Sequence, residues 1–346
     1  MNLKSLAEHL GLSQTTVSRA LAGYSDVAEA TRRRVADEAR KLGYSPNAAA
    51  QRLAMGKARA IGVVFTTAGS APADPIFMEF LTGLSERAAE AETDILISAA
   101  TGQQADDMRV YRRLAQARSV DVVVLSSPLT ADPRVALLAQ LGLPTVVHGR
   151  TATPLPYAHL DIDNEDAFLR ATQLLIGLGH TQIALVNGEE RFTYAADRAK
   201  GWRRALAEIG LVPPALHNVC ATMSDEQGYR QTRRLMESDQ PPSSIICSSL
   251  ISALGCCRAL RDLKLRVGQD VSVVAHDDGL NAIKPDTLSP PLTTTSSPIR
   301  RHGVRIAEMA LALADGADPA TLQEVWPVDL IFRGSTMPVR TNKLAG

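Results

Sequence analysis

The chain has 346 residues, a length that favours two or three domains over one. Apolar residues make up 45% of it and charged residues 21%, a composition that excludes a largely disordered chain. No run of about 18 uncharged apolar residues exists, so we expect no membrane span. Residues 1–10 lack the apolar segment of a signal peptide, which predicts a cytoplasmic protein.

Net charge is zero, but it is unevenly distributed. Residues 1–58 hold nine Lys and Arg against five Asp and Glu, a net charge of +4, and the remainder carries −4. A basic segment on a mildly acidic body indicates an anionic partner for that segment alone.

Four cysteines lack C-x-x-C spacing and lie near no histidine pair: Cys220, Cys247, Cys256 and Cys257. This pattern predicts reduced thiols and no zinc site. We expect no cofactor of any other kind.

The first 45 residues predict three short helices. Three leucines repeat at helical spacing: Leu3, Leu6 and Leu10. Gly11 ends that run, and Ser13 is suited to cap a second helix that reaches Leu21. A third helix is predicted from about Glu29 to Leu42. The short alanine-rich stretch Asn47–Ala54 then predicts a helix that is too short to be stable alone in water.

Short apolar runs recur from Ala60 onward. The predicted strands are Ala60–Phe65, Asp94–Ile97, Val120–Leu125, Pro144–Val147, Gln182–Val186, Ser244–Cys247 and Val271–Ala275. The predicted helices between them are Phe77–Glu92, Asp106–Arg118, Glu165–Leu178 and Glu226–Glu237. Strands without alternation, separated by amphipathic helices, indicate parallel βαβ units in an α/β fold.

About ten such units are too many for one ordinary doubly wound sheet. We therefore predict two similar lobes, split near 158–163 and joined by a late crossover near 288–298. Open α/β sheets bind ligands beyond the carboxyl ends of their strands, so two facing lobes create a small-molecule cleft. The predicted organisation is a DNA-binding domain over 1–45, a hinge helix and linker over 46–58, the two-lobed core over 59–340 and a tail over 341–346.

The segment Leu6–Leu21 predicts a helix, a glycine-bearing turn and a second helix, which is the helix-turn-helix arrangement of DNA-binding proteins. The second helix carries short or forked hydrogen-bonding side chains that suit base edges and phosphates: Gln14, Thr15, Thr16, Ser18 and Arg19. Arg19 suits the O6 and N7 atoms of guanine, and Gln14 suits adenine. The alternative is a polar, solvent-facing side of a small bundle.

These motifs resemble the LacI/GalR family of bacterial transcription regulators. The matching stretches are Leu6–Glu8, Gly11–Ser13, Thr16–Leu21, Val27, Thr31–Arg32, Val35, Leu42–Tyr44, Pro46–Ala50, Ala60–Val63, Leu178–Ala184, Arg198, Gly201–Trp202, Val273 and Asp277–Asp278. The resemblance spans the chain and implies a helix-turn-helix head, a hinge helix and a core like that of periplasmic binding proteins. More narrowly, the overall sequence is similar to regulators of α-glucoside use.

The resemblance also gives the conditional helix a role. Two protomers would place Asn47–Ala54 together in the minor groove, where Leu53 would wedge between base pairs and bend the duplex. The set Thr16, Ser18, Thr31 and Asn47 would contact phosphates, and Ala50 would complete the interface. The alternative for Leu53 is an exposed apolar residue in a linker.

In the core, the resemblance assigns Arg198 and Asp277 to effector binding. A guanidinium fork and a carboxylate suit the vicinal hydroxyls of a sugar. Ser126 and Ser249, which follow predicted strands, complete the expected site. Without the family, a lone arginine at a helix start such as Arg198 and a lone aspartate after a strand such as Asp277 are more often surface and cap residues.

One departure affects the second lobe. Where the family usually has a polar residue and Asp after a strand, this chain has Ser249-Leu250. Aromatic residues make up 4% of the chain, and a flat purine normally stacks on a ring. The composition therefore favours a sugar or sugar phosphate as effector.

The predicted function is that of a ligand-responsive transcription regulator, a repressor of carbohydrate genes that binds operator DNA. A periplasmic-type sugar-binding protein shares the two lobes, but the basic head and the missing signal peptide disfavour it. An enzyme is disfavoured because G-x-S-x-G, Walker and H-E-x-x-H motifs are missing. The tail after Phe332 shows no heptads, so we expect a homodimer on a pseudo-palindromic site.

Overall fold

A computed structural model describes residues 2–21, 23–44, 57–66, 74–101 and 104–339. Contacts divide the chain into Met1–Arg59, called the head below, and Ala60–Gly346, called the core. None of the helices among the described residues is long and apolar enough to cross a membrane.

The head contains the three predicted helices, α1 (Leu3–Leu10), α2 (Gln14–Leu21) and α3 (Glu29–Lys41). Gly11 ends α1 with a φ of 65°, a left-handed conformation that glycine adopts without strain. The backbone N–H of Thr16 donates to Ser13 Oγ at 3.0 Å, which confirms the predicted cap of α2.

One small apolar cluster holds the head together. Its buried members are Leu6, Ala7, Leu10, Val17, Ala20, Val27, Val35 and Ala39. A hydrogen bond also links α3 to α1, because Arg34 Nη2 donates to the Leu10 carbonyl oxygen at 2.6 Å. That carbonyl lies at the end of α1, where the helix itself supplies no donor, so Arg34 satisfies it.

The first lobe of the core contains a six-stranded sheet in the order β11-β5-β4-β3-β1-β2. Its strands are β1 (Ala60–Thr66), β2 (Asp94–Ala100), β3 (Val122–Ser126), β4 (Thr145–His148), β5 (Ala158–Ile162) and β11 (Gln323–Trp326). Its helices are α4 (Pro75–Glu90), α5 (Gln104–Gln116), α6 (Pro133–Gln140) and α11 (Ile299–Ala314).

The second lobe contains a matching sheet in the order β12-β10-β9-β8-β6-β7. Its strands are β6 (Ile183–Asn187), β7 (Asn218–Cys220), β8 (Ser244–Cys247), β9 (Ser272–Asp277), β10 (Thr293–Ser296) and β12 (Asp329–Ile331). Its helices are α7 (Asn164–Gly177), α8 (Thr193–Glu208), α9 (Asp225–Met236) and α10 (Leu250–Asp262). Three-residue 3-10 turns occur at Ala215–His217, Pro285–Thr287 and Pro319–Thr321.

The sheets are parallel with one exception. All six residues of β9 and all four of β8 are buried, because helices cover both faces of the sheet, which explains their unbroken apolar sequence. The exception is β12, which pairs antiparallel with β10 at the sheet edge. The predicted parallel sheets are therefore confirmed, with one antiparallel edge strand added in the second lobe.

The chain passes between the lobes three times. It leaves the first lobe after β5 at Asp163, returns between β10 and α11 at Ser297–Pro298, and crosses again between β11 and β12 at Pro327–Val328. The third passage has no counterpart among the predictions from the sequence.

Helices α4 and α11 pack closely through two glycines. A Cβ added to Gly303 would overlap the carbonyl oxygen of Phe80, and one added to Gly83 would overlap that of Arg300.

We expect Gly303→Ala to lower the free energy of unfolding by about 1–3 kcal/mol, because the backbones must move apart. Thermal unfolding tests this, with Gly177→Ala as the control, since a Cβ at Gly177 meets nothing within 4 Å. Equal melting temperatures for the two variants would contradict the packing argument.

Candidate DNA interface and ligand cleft

Helix α2 presents the polar surface that the sequence predicts. Its exposed side chains are Gln14, Thr15, Ser18 and Arg19. Thr16 is half-buried, and its Oγ1 lies 2.8 Å from Ser13 Oγ, so its hydroxyl also supports the cap. Thr31, in the first turn of α3, is half-buried as well. Exposed hydrogen-bonding groups on the second helix match the way a helix-turn-helix reads the major groove.

Arg19 has partners of its own in the head. Its Nη2 lies 2.5 Å from Asp26 Oδ2, and its guanidinium carbon lies 5.2 Å from the centre of the Tyr24 ring. Both members of the ion pair are about half exposed, at 47% and 49%. Exposed ion pairs contribute about 0–1 kcal/mol, so a base or a phosphate displaces Asp26 at little cost. Sequence reasoning missed Tyr24 and Asp26, because nothing in their spacing ties them to Arg19.

The predicted hinge residues Asn47, Ala50 and Leu53 lie outside the described residues, as does the rest of 45–56. Their assignment to the DNA interface stays a prediction.

In the core, the loops that follow strands β3 and β6 meet each other. Thr130 N donates to the Arg191 carbonyl oxygen at 3.1 Å, and Thr193 N donates to that of Pro128 at 3.1 Å. Because these loops leave the carboxyl ends of parallel strands in different lobes, the two sets of strand ends face each other. A cleft between lobes is the result.

Arg198 lies in the second turn of α8 and is 5% exposed. Its Nε donates to Asn164 Oδ1 at 2.7 Å, and its Nη1 donates to the Ser248 carbonyl oxygen at 2.6 Å. Burial lowers the pKa of this guanidinium from its ordinary value, and an arginine stays charged nonetheless. Its Nη2 donates to none of the described residues. The two hydrogen bonds therefore fix the guanidinium in place and leave both N–H groups of Nη2 available to a ligand.

Asn164 is itself held at the first passage between lobes. Its Nδ2 donates to Asp161 Oδ1 at 3.3 Å, and Asp161 Oδ2 accepts from Arg150 Nε at 2.8 Å. Arg150 also lies 3.8 Å from Asp197 of α8. Through these contacts, Asp161 and Asn164 at the first passage between the lobes position Arg198.

Two carboxyl groups end and follow β9. Asp277 is 7% exposed, and its Oδ1 accepts from Gly279 N at 2.9 Å. Asp278 is 8% exposed, its Oδ1 lies 3.6 Å from His276 Nε2, and its Oδ2 is buried without a hydrogen-bond partner. A buried oxygen without a partner indicates that a ligand or a water molecule supplies the missing hydrogen-bond donor. The sequence named Asp277 and missed Asp278.

Burial raises the pKa of Asp278 from 3.8 to about 7; the charge of Asp277 adds to this rise and Arg198 opposes it. The folded protein holds the proton of the Asp278 carboxyl more tightly than the unfolded chain does. The contribution of this protonated carboxyl to the free energy of unfolding is therefore fully present below about pH 4. That stability is lost as the pH rises through 7. We therefore expect Asp278→Asn, which cannot ionise, to melt at a higher temperature than the wild type at pH 8, to show a smaller advantage at pH 5 and to lose it below about pH 4. An advantage independent of pH would show that the side chain ionises normally.

The two predicted serines differ in how their hydroxyls are used. Ser126 ends β3, and its Oγ is buried without a partner, as expected of a ligand contact. Ser249 is fully buried, and its Oγ accepts from Ser252 N at 3.1 Å, which caps α10. Its hydroxyl is therefore committed to the helix, whereas the neighbouring Ser248 holds Arg198.

Two aromatic rings lie against Arg198. Its guanidinium carbon lies 5.0 Å from the centre of the Phe168 ring and 5.2 Å from that of Tyr194. Burial raises the pKa of Tyr194 to about 12, so its hydroxyl stays protonated and able to donate. The low aromatic content of the sequence gave no sign that two of its few rings would meet at this guanidinium.

A pair of histidines connects the first lobe to the second passage between lobes. His148 Nε2 and His302 Nδ1 are 3.2 Å apart, and His302 Nε2 lies 2.9 Å from Ser297 Oγ. Burial lowers the pKa of His148 to about 4 and that of His302 to about 3, so both rings are neutral near pH 7. In the described ranges, no group of three or more His, Cys, Asp or Glu side chains is placed to hold a metal ion. All four cysteines are free.

Comparison with known proteins agrees with both parts of the chain. Residues 2–47 match the model of the bacterial regulatory proteins of the lacI family, and residues 172–336 match that of the periplasmic binding protein-like domain. The HTH-type transcriptional regulator AglR of Rhizobium meliloti (strain 1021) is 46% identical over 342 residues, which cover 98% of this chain and 95% of AglR.

Two solved structures extend the comparison. The Lac repressor dimer bound to operator and the anti-inducer ONPF has a TM-score of 0.84 at 26% identity, covering 97% of this chain and 99% of that one. The complex of the transcriptional regulator CelR with cellobiose has a TM-score of 0.71 at 25% identity, with the same coverage.

A helix-turn-helix head joined to a two-lobed core with a polar cleft defines a ligand-responsive, sequence-specific DNA-binding regulator of transcription, and not an enzyme. The chain belongs to the lacI family of bacterial regulatory proteins.

Proposed function

We propose that this regulator is a sugar-responsive repressor of genes for carbohydrate uptake or metabolism. The observation that carries the proposal is the arrangement at Arg198. Two hydrogen bonds fix the guanidinium, and its Nη2 remains free to donate. Asp277 and the unpartnered Asp278 oxygen lie at the end of β9, the strand beside β8, and the Ser248 carbonyl that holds Arg198 follows β8. Such fixed donors and acceptors suit vicinal hydroxyls. The complex of the related CelR with cellobiose supports a sugar as the ligand class.

In the cleft, Arg198 donates to sugar hydroxyls, and Asp277 accepts from them. Ser126 approaches from the first lobe with its free hydroxyl, and Ser249 contributes as a lining residue whose own hydroxyl holds α10. Effector binding shifts the balance between two arrangements of the lobes, and operator affinity shifts with it. A differential affinity of a few kcal/mol is enough for such a switch.

On the DNA side, the proposal assigns base contacts to Gln14, Thr15 and Arg19 and phosphate contacts to Thr16, Ser18 and Thr31. The hinge set Asn47, Ala50 and Leu53 enters the minor groove. For the domain organisation we propose a DNA-binding domain over 1–45, a hinge helix and linker over 46–58, an effector-binding part of two lobes over 59–340 and a tail over 341–346.

The active form is a homodimer on a pseudo-palindromic operator, because a two-fold protein matches a two-fold site. The Lac repressor dimer bound to its operator supports this assembly. A protein that binds chromosomal operators acts in the cytoplasm, which is the location we propose.

Thermal unfolding of the full chain against a panel of sugars tests the proposal. A true ligand at about 100 times its dissociation constant adds about 2.7 kcal/mol of stability, which raises the melting temperature. The panel contains glucose, maltose, sucrose, trehalose, melibiose and cellobiose, with adenine and guanosine as purine controls. Stabilisation by a sugar supports the proposal, and stabilisation by purines alone overturns it.

A further inference from the structure

The ionisable groups of the cleft are mostly acidic. Asp277 ends β9 in the second lobe and Asp278 follows it, and both are more than nine-tenths buried. Asp74 of the first lobe caps α4, with its Oδ1 accepting from Ile76 N at 2.9 Å. Its charge reaches across the cleft, since it contributes to raising the pKa of both Asp278 and Tyr194. Among the described residues, the buried guanidinium of Arg198 supplies the positive charge that opposes these three carboxyls.

The other cations near the strand ends, in the part of the chain that the structure describes, are paired with carboxylates or uncharged. Arg150 is paired with Asp161 and Asp197, and the buried Asp132 holds Arg134 at 2.6 Å. His148 is neutral near pH 7, as described above. Residues 67–73, which follow β1, contain no ionisable side chain in their sequence.

Asp278 and Arg198 interact electrostatically but form no direct ion pair. Each instead keeps an unused group, the Oδ2 of Asp278 and the Nη2 of Arg198. A sugar hydroxyl both donates and accepts, so hydroxyls can satisfy the carboxyl oxygen and the guanidinium together. A phosphate has only acceptor oxygens and a negative charge, so it would leave the carboxyl oxygen unpaired and be repelled by the carboxylates.

From these contacts we infer that the cleft binds an uncharged sugar and excludes its phosphorylated form, with Asp278 as the residue that sets this selectivity. The inference rests on the proposed function and narrows its ligand class. Asp74 and Asp277 reinforce the exclusion through their charge, and Asp278 does so through charge and through its unpartnered oxygen.

The test compares matched ligand pairs on the full chain by calorimetry at pH 8: glucose with glucose 6-phosphate, sucrose with sucrose 6-phosphate, and trehalose with trehalose 6-phosphate. We expect the wild type to bind the neutral member of a pair at least 100-fold more tightly. Asp278→Asn should reduce that ratio by at least 10-fold, because the amide removes the charge and can donate to a phosphate oxygen. Asp286→Asn, an exposed carboxyl on the Pro285–Thr287 turn, is the control and should leave the ratio unchanged.

If Asp278→Asn fails to fold, Asp74→Asn replaces it, since asparagine caps a helix as well as aspartate does. A phosphorylated sugar that binds the wild type as tightly as its neutral partner, or a ratio that neither variant changes, would overturn the inference and leave the sugar-responsive regulator standing. Binding of no sugar, neutral or phosphorylated, would contradict the proposed function and the inference together.

Discussion

Arg198→Ala is expected to lower effector affinity by about 3–4 kcal/mol, on the order of 100- to 1000-fold, and so to remove the response of operator binding to effector. The loss is large because the variant removes the Arg198 guanidinium with its unused Nη2 donors and takes away a positive charge that opposes the buried Asp278 carboxyl. Calorimetry with the sugar that stabilises the wild type gives the affinity directly.

Two further variants separate binding from folding. Arg198→Lys keeps the charge but loses the planar guanidinium that donates to both Asn164 Oδ1 and the Ser248 carbonyl oxygen. It should therefore bind the sugar only slightly more tightly than Arg198→Ala does. Arg204→Ala, on the same helix but 56% exposed, should bind the sugar normally. Wild-type affinity in Arg198→Ala would place the effector elsewhere in the protein.

Arg19→Ala is expected to weaken binding to the specific operator by about 1–3 kcal/mol per half-site and to affect random DNA much less. Arg19 is exposed on α2, and its bond to Asp26 costs little to exchange for a guanine edge. Fluorescence anisotropy on operator and random duplexes at one salt concentration measures both affinities.

The matched control is Asp26→Asn, which keeps Arg19 and removes its charged partner. Operator affinity should stay equal or rise, because the guanidinium no longer has to leave a carboxylate. An Arg19→Ala variant that loses affinity equally for operator and random DNA would show that Arg19 contacts phosphates and reads no base.

The elements with local signals were predictable from the sequence. Leucine spacing, Gly11 and Ser13 predicted the helices of the head, and the buried runs of β3, β6, β8 and β9 stand out because helices cover both faces of the sheets. Strand β10 could not be found this way. It consists of Thr293–Ser296, and its polar side chains are buried because Ser335, Thr336 and Arg333 bond to its groups.

The third passage between lobes was missed for a related reason. Strands β11 and β12 are four and three residues long and alternate between exposed and half-buried positions, so neither gives an apolar run. Their pairing partners, β5 and β10, come from distant parts of the chain. Edge strands of this kind are defined by tertiary contacts rather than by local sequence.

The residues of the candidate site also differ in whether the sequence alone could indicate them. Arg198 and Asp277 could be named in advance because a family motif carries them. Tyr194 and Phe168 take their importance from their distances to Arg198, and Asp278 takes it from its burial and its unpartnered oxygen; sequence spacing reveals none of these. Ser249 shows the reverse case, since its place after a strand suggested a ligand contact while its hydroxyl caps a helix.

The most direct test of the regulator measures operator affinity of the full chain with and without the sugar that stabilises it, and sugar affinity with and without operator. Coupling between two sites is reciprocal, so both ratios must agree. We predict a change of at least 10-fold in each, equivalent to about 1.4 kcal/mol of coupling. A sugar that binds the core tightly while operator affinity stays the same would contradict the account of this protein as a ligand-controlled repressor.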